Sequence, residues 1–182
     1  MIGILIFPDF QLLDATGPAS VFEIAQRLVP TAATSRMIAV EPGAVRSSSG
    51  VEVLAAGLRS AEAVTTLVVA GGLGVDQATG CRTTLALVRD LARRGVRIAS
   101  VCSGAYVLAA AGLLNGRKAT THWCRTQDFV ARYPEVRLDP DRIFLRDGNI
   151  WTSAGITAGI DLALALMAED HGDAVAKDIA RQ

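Results

Sequence analysis

Three short, almost uninterrupted apolar runs constrain this chain more than any other feature: residues 2–7 (IGILIF), 66–70 (TLVVA) and 96–101 (VRIASV). A strand with one wet face alternates apolar and polar residues, so runs without alternation belong to strands covered on both faces, as in a parallel sheet. The segments between them carry helical spacing. Val21, Phe22, Ala25 and Leu28 share one face of a helix predicted to begin near Gly17-Pro18, with Pro18 suited to the first helical position. Leu85, Val88 and Leu91 line one face of residues 84–94, which Gly95 ends. Residues 103–111, 122–133, 156–169 and 173–182 also read as helices, and 36–40 as another strand. Polar turns at Ser48–Gly50 and Asp147-Gly148-Asn149 mark two hairpins. Strand and helix thus alternate throughout, the pattern of an α/β domain with a doubly wound parallel sheet and helices on both faces.

Length and composition bound what such a sheet can serve. The 182 residues suit a single domain. Area scaling predicts a folded surface of roughly 8,400 Å², with about 70% of the unfolded chain's surface buried. Hydrophobic residues are 51% and charged residues 20%, which excludes a disordered chain. Lys plus Arg (18) balances Asp plus Glu (18), leaving no basic surplus for phosphates, so this chain alone is not expected to bind nucleic acid. No apolar run reaches the roughly 18 residues of a membrane span, and the start lacks a signal-peptide pattern, so no membrane partner is expected. Cys81, Cys102 and Cys124 show no CxxC spacing, which argues against a disulfide framework and a zinc site. A cytoplasmic protein with free thiols, without metal or cofactor, is the expectation.

In open α/β sheets ligands bind beyond the carboxyl ends of the strands, so the residues after each apolar run hold the candidate chemistry. Cys102 ends one run and is followed by Ser103-Gly104-Ala105 and a helix. A tight strand-to-helix turn would present its sulfur above the sheet, and the helix N-terminus would favour thiolate. The alternative is a small buried hydrophobe. Gly71 and Gly72 would let backbone N–H groups approach a ligand, or would simply form a turn. Asp14 would act as an acid or base beside the thiol, or cap the following helix. His122 lies 20 positions after Cys102, and either pairs with it as a base or stacks beside Trp123. Cys81 and Cys124 have no partner signature and read as incidental. Arg93, Arg94 and Arg97 read as a solvated helix end, and Leu162, Leu166 and Met167 as core.

Four motifs in order, IGILIFPDFQLLDATGP, VVAGGLG, SVCSGAYVLAAAGLLNGRKATTHW and DGNIWTSAGITAGIDLALALMAEDHG, give a chain that resembles the ThiJ/PfpI superfamily of glutamine-amidotransferase-like domains. The resemblance spans the whole chain. It implies a flavodoxin-like fold, a homodimer, and a nucleophile-elbow cysteine at Cys102. Gly155, which follows IWTSA, stands by position at a strand end, and with Ile156 it joins Gly71, Gly72 and His122 in the expected ligand-binding set. Within the superfamily, the isocyanide hydratase group would place its essential cysteine, aspartate and threonine at Cys102, Asp14 and Ser103, with serine keeping the hydroxyl. The protease-like branch has histidine after its cysteine, and Ser103 argues against it. Ala70 stands where proline often precedes the paired glycines. Residues 132–182 are similar to the end of the sensor domain of AraC-type transcriptional regulators, where a helix-turn-helix module follows. The resemblance therefore implies a small-molecule-sensing domain at 1–182, with DNA contact left to a module absent from this chain, and a hydratase as the alternative.

Overall fold

Each uninterrupted apolar run forms a strand in the computed structural model, which describes residues 1–182. In chain order the elements are β1 (Ile2–Leu5), α1 (Leu12–Leu28), β2 (Ser35–Ile38), β3 (Gly43–Arg46), β4 (Glu52–Ala55), β5 (Thr66–Val69), α2 (Val75–Gly80), α3 (Arg82–Arg93), β6 (Arg97–Ser100), α4 (Ala105–Ala110), β7 (Lys118–Ala119), α5 (Thr126–Arg132), β8 (Arg137–Leu138), β9 (Phe144–Asp147), β10 (Ile150–Ser153), α6 (Ala158–His171) and α7 (Asp173–Ala180). The main sheet has the order β2-β1-β5-β6-β10-β9. Its first five strands are parallel, and β9 closes one edge antiparallel to β10. Without the β3–β4 hairpin this is the flavodoxin-like, doubly wound order.

The lack of alternation has the anticipated cause. Every residue of β1, β5 and β10 is buried, because helices cover both faces. Helices α1, α6 and α7 pack together in one layer, and α2, α3 and α4 in the other. Leu162, Leu166 and Met167 of α6 are buried in the core. The accessible surface is 8561 Å², close to the value expected from mass alone.

Four local expectations are corrected. Helix α1 begins at Leu12, not near Gly17-Pro18, and Pro18 lies inside it. Proline removes one helical N–H, but close packing offsets that loss. A Cβ on Gly17 would stand 3.0 Å from Ile160, so the glycine lets α1 and α6 approach closely. The earlier start puts Asp14 within the helix rather than before it. Residues 122–133 form a 3₁₀ turn (Trp123–Arg125) and only then α5, while α2, β7 and β8 carried too few patterned residues to be read. Arg97 is not part of a solvated helix end. It opens β6, and its guanidinium pairs with Glu169 (2.9 Å) and Asp170 (2.6 Å) near the end of α6.

Candidate functional site

Strand order reverses between β1 and β5, the switch point where such sheets open a crevice at their carboxyl ends. Four chain returns meet there. Asp14 follows β1, Gly71-Gly72 follow β5, Cys102 follows β6, and Gly155-Ile156 follow β10. They enclose one side of a cavity of about 170 Å³, lined by Gln11, Gly72, Leu73, Cys102, Ser103, His122, Cys124, Arg125 and Ile156.

Cys102 has a φ of +57°, a left-handed conformation that is uncommon outside glycine. Such strain costs on the order of 1–3 kcal/mol and persists where the surroundings over-determine the backbone. They do so here. The Cys102 N–H donates to the Ala154 carbonyl (3.0 Å), and the Thr121 hydroxyl donates to the Cys102 carbonyl (3.0 Å). Residues Cys102–Gly104 form a 3₁₀ turn that leads into α4. The strand-to-helix elbow is thus fastened from three directions.

Asp14 is fully buried beside this elbow. Its Oδ2 accepts the Gly71 N–H at 3.1 Å, and its Oδ1 has no hydrogen-bond partner. Burial pushes its carboxyl up to about 7, against the smaller opposing pulls of the Gly71 N–H and the Cys102 thiol. Burial also pushes the Cys102 thiol up to about 12, and the charge of Asp14 adds to the effect. The N–H groups of Ser103 and Ile156 pull the thiol the other way but do not prevail. The helix-dipole expectation for Cys102 is therefore corrected. Helix α4 has only six residues, and desolvation with a neighbouring carboxylate outweighs its N-terminus. As a pair, the two acids lose a first proton at about 7 and a second at about 12, so between those values they share one proton and one negative charge.

The paired glycines do something more specific than offer free N–H groups. Gly71 donates to Asp14, and Gly72 donates to the Ser103 hydroxyl at 2.9 Å. That hydroxyl lies 3.3 Å from the Gly72 carbonyl, which accepts its proton. A Cβ on Gly71 would lie 2.6 Å from the Ser103 nitrogen and 2.9 Å from Asp14 Oδ2. Glycine at 71 is what lets carboxyl, hydroxyl and elbow converge. Ser103 and Gly72 remain in the cavity lining, while the N–H groups aimed at the sulfur belong to Ser103 and Ile156. Ile156 has a φ of +51°, and β-branched residues rarely adopt it. Gly155 presses against the His122 ring, so its missing side chain makes room for that ring.

His122 reaches the cavity but does not pair with Cys102. Its Nδ1 lies 2.8 Å from Cys124 Sγ and accepts the Cys124 N–H at 3.3 Å. Its ring stacks on Trp123, with centroids 5.8 Å apart. Burial and the nearby charge of Arg125 hold its pKa below the usual histidine value. The segment is anchored from below, since the Tyr106 hydroxyl lies 2.9 Å from both the Arg125 carbonyl and Asp128 Oδ2. Arg125 stands over the Tyr106 ring, 4.7 Å from its centroid. Gln11, Leu73, Cys124 and Arg125 were not anticipated in the lining. Only Cys124 had a legible signal, two positions after a histidine.

A family model described as the DJ-1/PfpI family matches residues 1–169. The chain is 36% identical to an isonitrile hydratase of Pseudomonas putida, over 92% of this chain and 71% of that protein. It is 34% identical to the HTH-type transcriptional regulator CdhR of Pseudomonas aeruginosa, over 98% of this chain but only 53% of the regulator. Among solved structures, a ThiJ/PfpI family protein from Pseudomonas syringae superposes with a TM-score of 0.86 at 33% identity, covering 98% of this chain and 72% of that one. Fold, motif order and matched length agree, and the chain belongs to the DJ-1/PfpI family.

Proposed function

We propose that residues 1–182 are the ligand-sensing domain of an AraC-type transcriptional regulator, with a small molecule held against Cys102. The observation that carries this reading is the likeness to a regulator through nearly the whole chain, in a relative about twice as long. A formal net charge of zero fits a domain that leaves DNA to a separate helix-turn-helix module. The cavity of about 170 Å³ is below the roughly 300–1,000 Å³ of common ligand sites, which favours a small ligand or one end of a larger one. A thiol held protonated by burial serves recognition without standing ready as a nucleophile. Dimerisation would give such a regulator two-fold symmetry to match a palindromic operator, and unpaired cysteines suit a cytoplasmic setting.

A second reading is favoured by one observation, the buried Asp14 whose pKa of about 7 suits proton transfer at neutral pH. In a hydratase, Cys102 sulfur would bond to the isocyanide carbon while that carbon gains a proton through Asp14. Water would then add to the thioimidate carbon, and the thiol would leave to give an N-formamide.

One paired experiment separates the readings. Thermal unfolding is followed across a panel of small polar metabolites, and formamide is assayed with an aryl isocyanide. A sensor shows a saturable rise in stability, about 2.7 kcal/mol at a hundred times Kd, and no turnover. Turnover abolished by both Cys102→Ala and Asp14→Asn would establish the hydratase instead. Neither binding nor turnover would sink both readings. Light scattering tests the dimer, which a monomeric mass would remove.

A further inference from the structure

The cavity holds two thiols in opposite environments, and only Cys102 is absorbed by the readings above. Cys124 is exposed on the 3₁₀ turn before α5, lines the same cavity as Cys102, and carries a neighbouring base. The tautomer of that base is set by the backbone. Because the Cys124 N–H donates to His122 Nδ1, this nitrogen bears the lone pair and the proton resides on Nε2. The same lone pair faces Cys124 Sγ at 2.8 Å, the arrangement of a nucleophile with its general base. The ring stacks on Trp123 and lies close against the Gly155 return. Burial and Arg125 keep the imidazole neutral at pH 7, hence able to accept a proton. No comparable base serves Cys102, whose acidic neighbour Asp14 opposes its ionisation.

We propose that Cys124 and His122 form a second nucleophilic site at the mouth of the Cys102 cavity, which undergoes thiol–disulfide exchange with low-molecular-weight disulfides and, once modified, closes that cavity. In the exchange, His122 Nδ1 takes the thiol proton and the Cys124 sulfur attacks one sulfur of the disulfide RS–SR. The bond between Cys124 and SR forms as the RS–SR bond breaks, and the departing thiolate recovers the proton from His122 as RSH. The disulfide is the oxidant and is reduced as Cys124 is oxidised, so the step needs no further reagent. Excess RSH runs it backwards. Since Cys124 lines a cavity of only about 170 Å³, an appended SR group fills the entrance and excludes whatever binds beside Cys102. The inference is independent of whether Cys102 senses or turns over its ligand, because it concerns access to the site.

Glutathione disulfide at pH 7.4 is the probe, with modification followed by intact-mass and peptide-mapping mass spectrometry. A Cys81→Ser background removes the remaining thiol. Within it, glutathione is expected on Cys124 at least about tenfold faster than on Cys102, and Cys124→Ser abolishes that fast phase. His122→Gln is expected to slow the Cys124 reaction at least about tenfold, with its fold checked by circular dichroism. Modified protein should also shield Cys102 from iodoacetamide. Modification of Cys102 first, an unchanged Cys124 rate in His122→Gln, or no adduct on Cys124 at millimolar disulfide would each overturn the proposal. If His122→Gln does not fold, peptide mapping of the Cys81→Ser protein still distinguishes Cys124-first from Cys102-first modification.

Discussion

Beneath the cavity, Cys102 and Asp14 are both buried and both acids; burial raises the pKa of each, and the charge of Asp14 raises that of the thiol further. At its rim, Cys124 is exposed and faces a base. The same side chain, a thiol, therefore has a carboxyl neighbour at one end of a small space and an imidazole neighbour at the other. The floor is assembled from four strand returns distant in sequence and tied by backbone hydrogen bonds. The rim is a local turn, the three residues Trp123–Arg125 capped by His122, fastened through Tyr106. Long-range assembly fixes a residue in a strained or desolvated state that a local turn cannot sustain.

The contrast can be broken most forcefully at Asp14. Its folded-state pKa is about 7, against 3.8 for a free aspartate carboxyl, so between those values the folded protein holds a proton that the unfolded chain has lost. The unfolded state then binds fewer protons, and stability falls as pH rises through that window, levelling off above it. At 1.36 kcal/mol per pKa unit the full loss is about 4 kcal/mol. Asp14→Asn should remove that part of the pH dependence and be the more stable protein at pH 8. Chemical unfolding of both proteins at pH 4 and pH 8 checks this, and parallel pH curves would refute the buried acid.

A smaller effect is expected from Gly71→Ala, which places a methyl group against the Ser103 backbone and the Asp14 carboxyl. Overpacking of this kind should cost about 3 kcal/mol, read as a lowered urea midpoint with an unchanged slope. A midpoint within error of the parent would show that the floor is not held as tightly as its contacts indicate. The rim should respond least. Tyr106→Phe removes the hydroxyl that meets the Arg125 carbonyl and Asp128, for a loss of about 1 kcal/mol. It should speed alkylation of Cys124 by loosening the turn, while Cys102 keeps its rate. Equal acceleration at both thiols would merge floor and rim into one cooperative unit.

Much of the floor could be read along the chain. A short continuous apolar run bounded by turn residues reads as a strand covered on both faces, and the residues after it fall near a sheet end, so Asp14, Gly71, Gly72, Cys102, Ser103 and Gly155 were locatable by position. Their electrical state was not. A helix N-terminus beside Cys102 argued for a thiolate, yet desolvation and the Asp14 carboxylate, neither encoded locally, prevailed. The rim was nearly illegible. Of the two expectations for His122, the stack on Trp123 holds and the pairing with Cys102 does not; its contact with Cys124, expected by neither, depends on a 3₁₀ turn that a helical pattern over 122–133 concealed.

Fold class, strand identity and family thus follow from short-range pattern and motif order, because apolar periodicity records which faces a segment must hide. Which acid holds a proton, which thiol has a base, and which N–H groups remain for a ligand were decided only in three dimensions. Those properties depend on burial and on distances between residues far apart in the chain, and periodicity carries neither quantity.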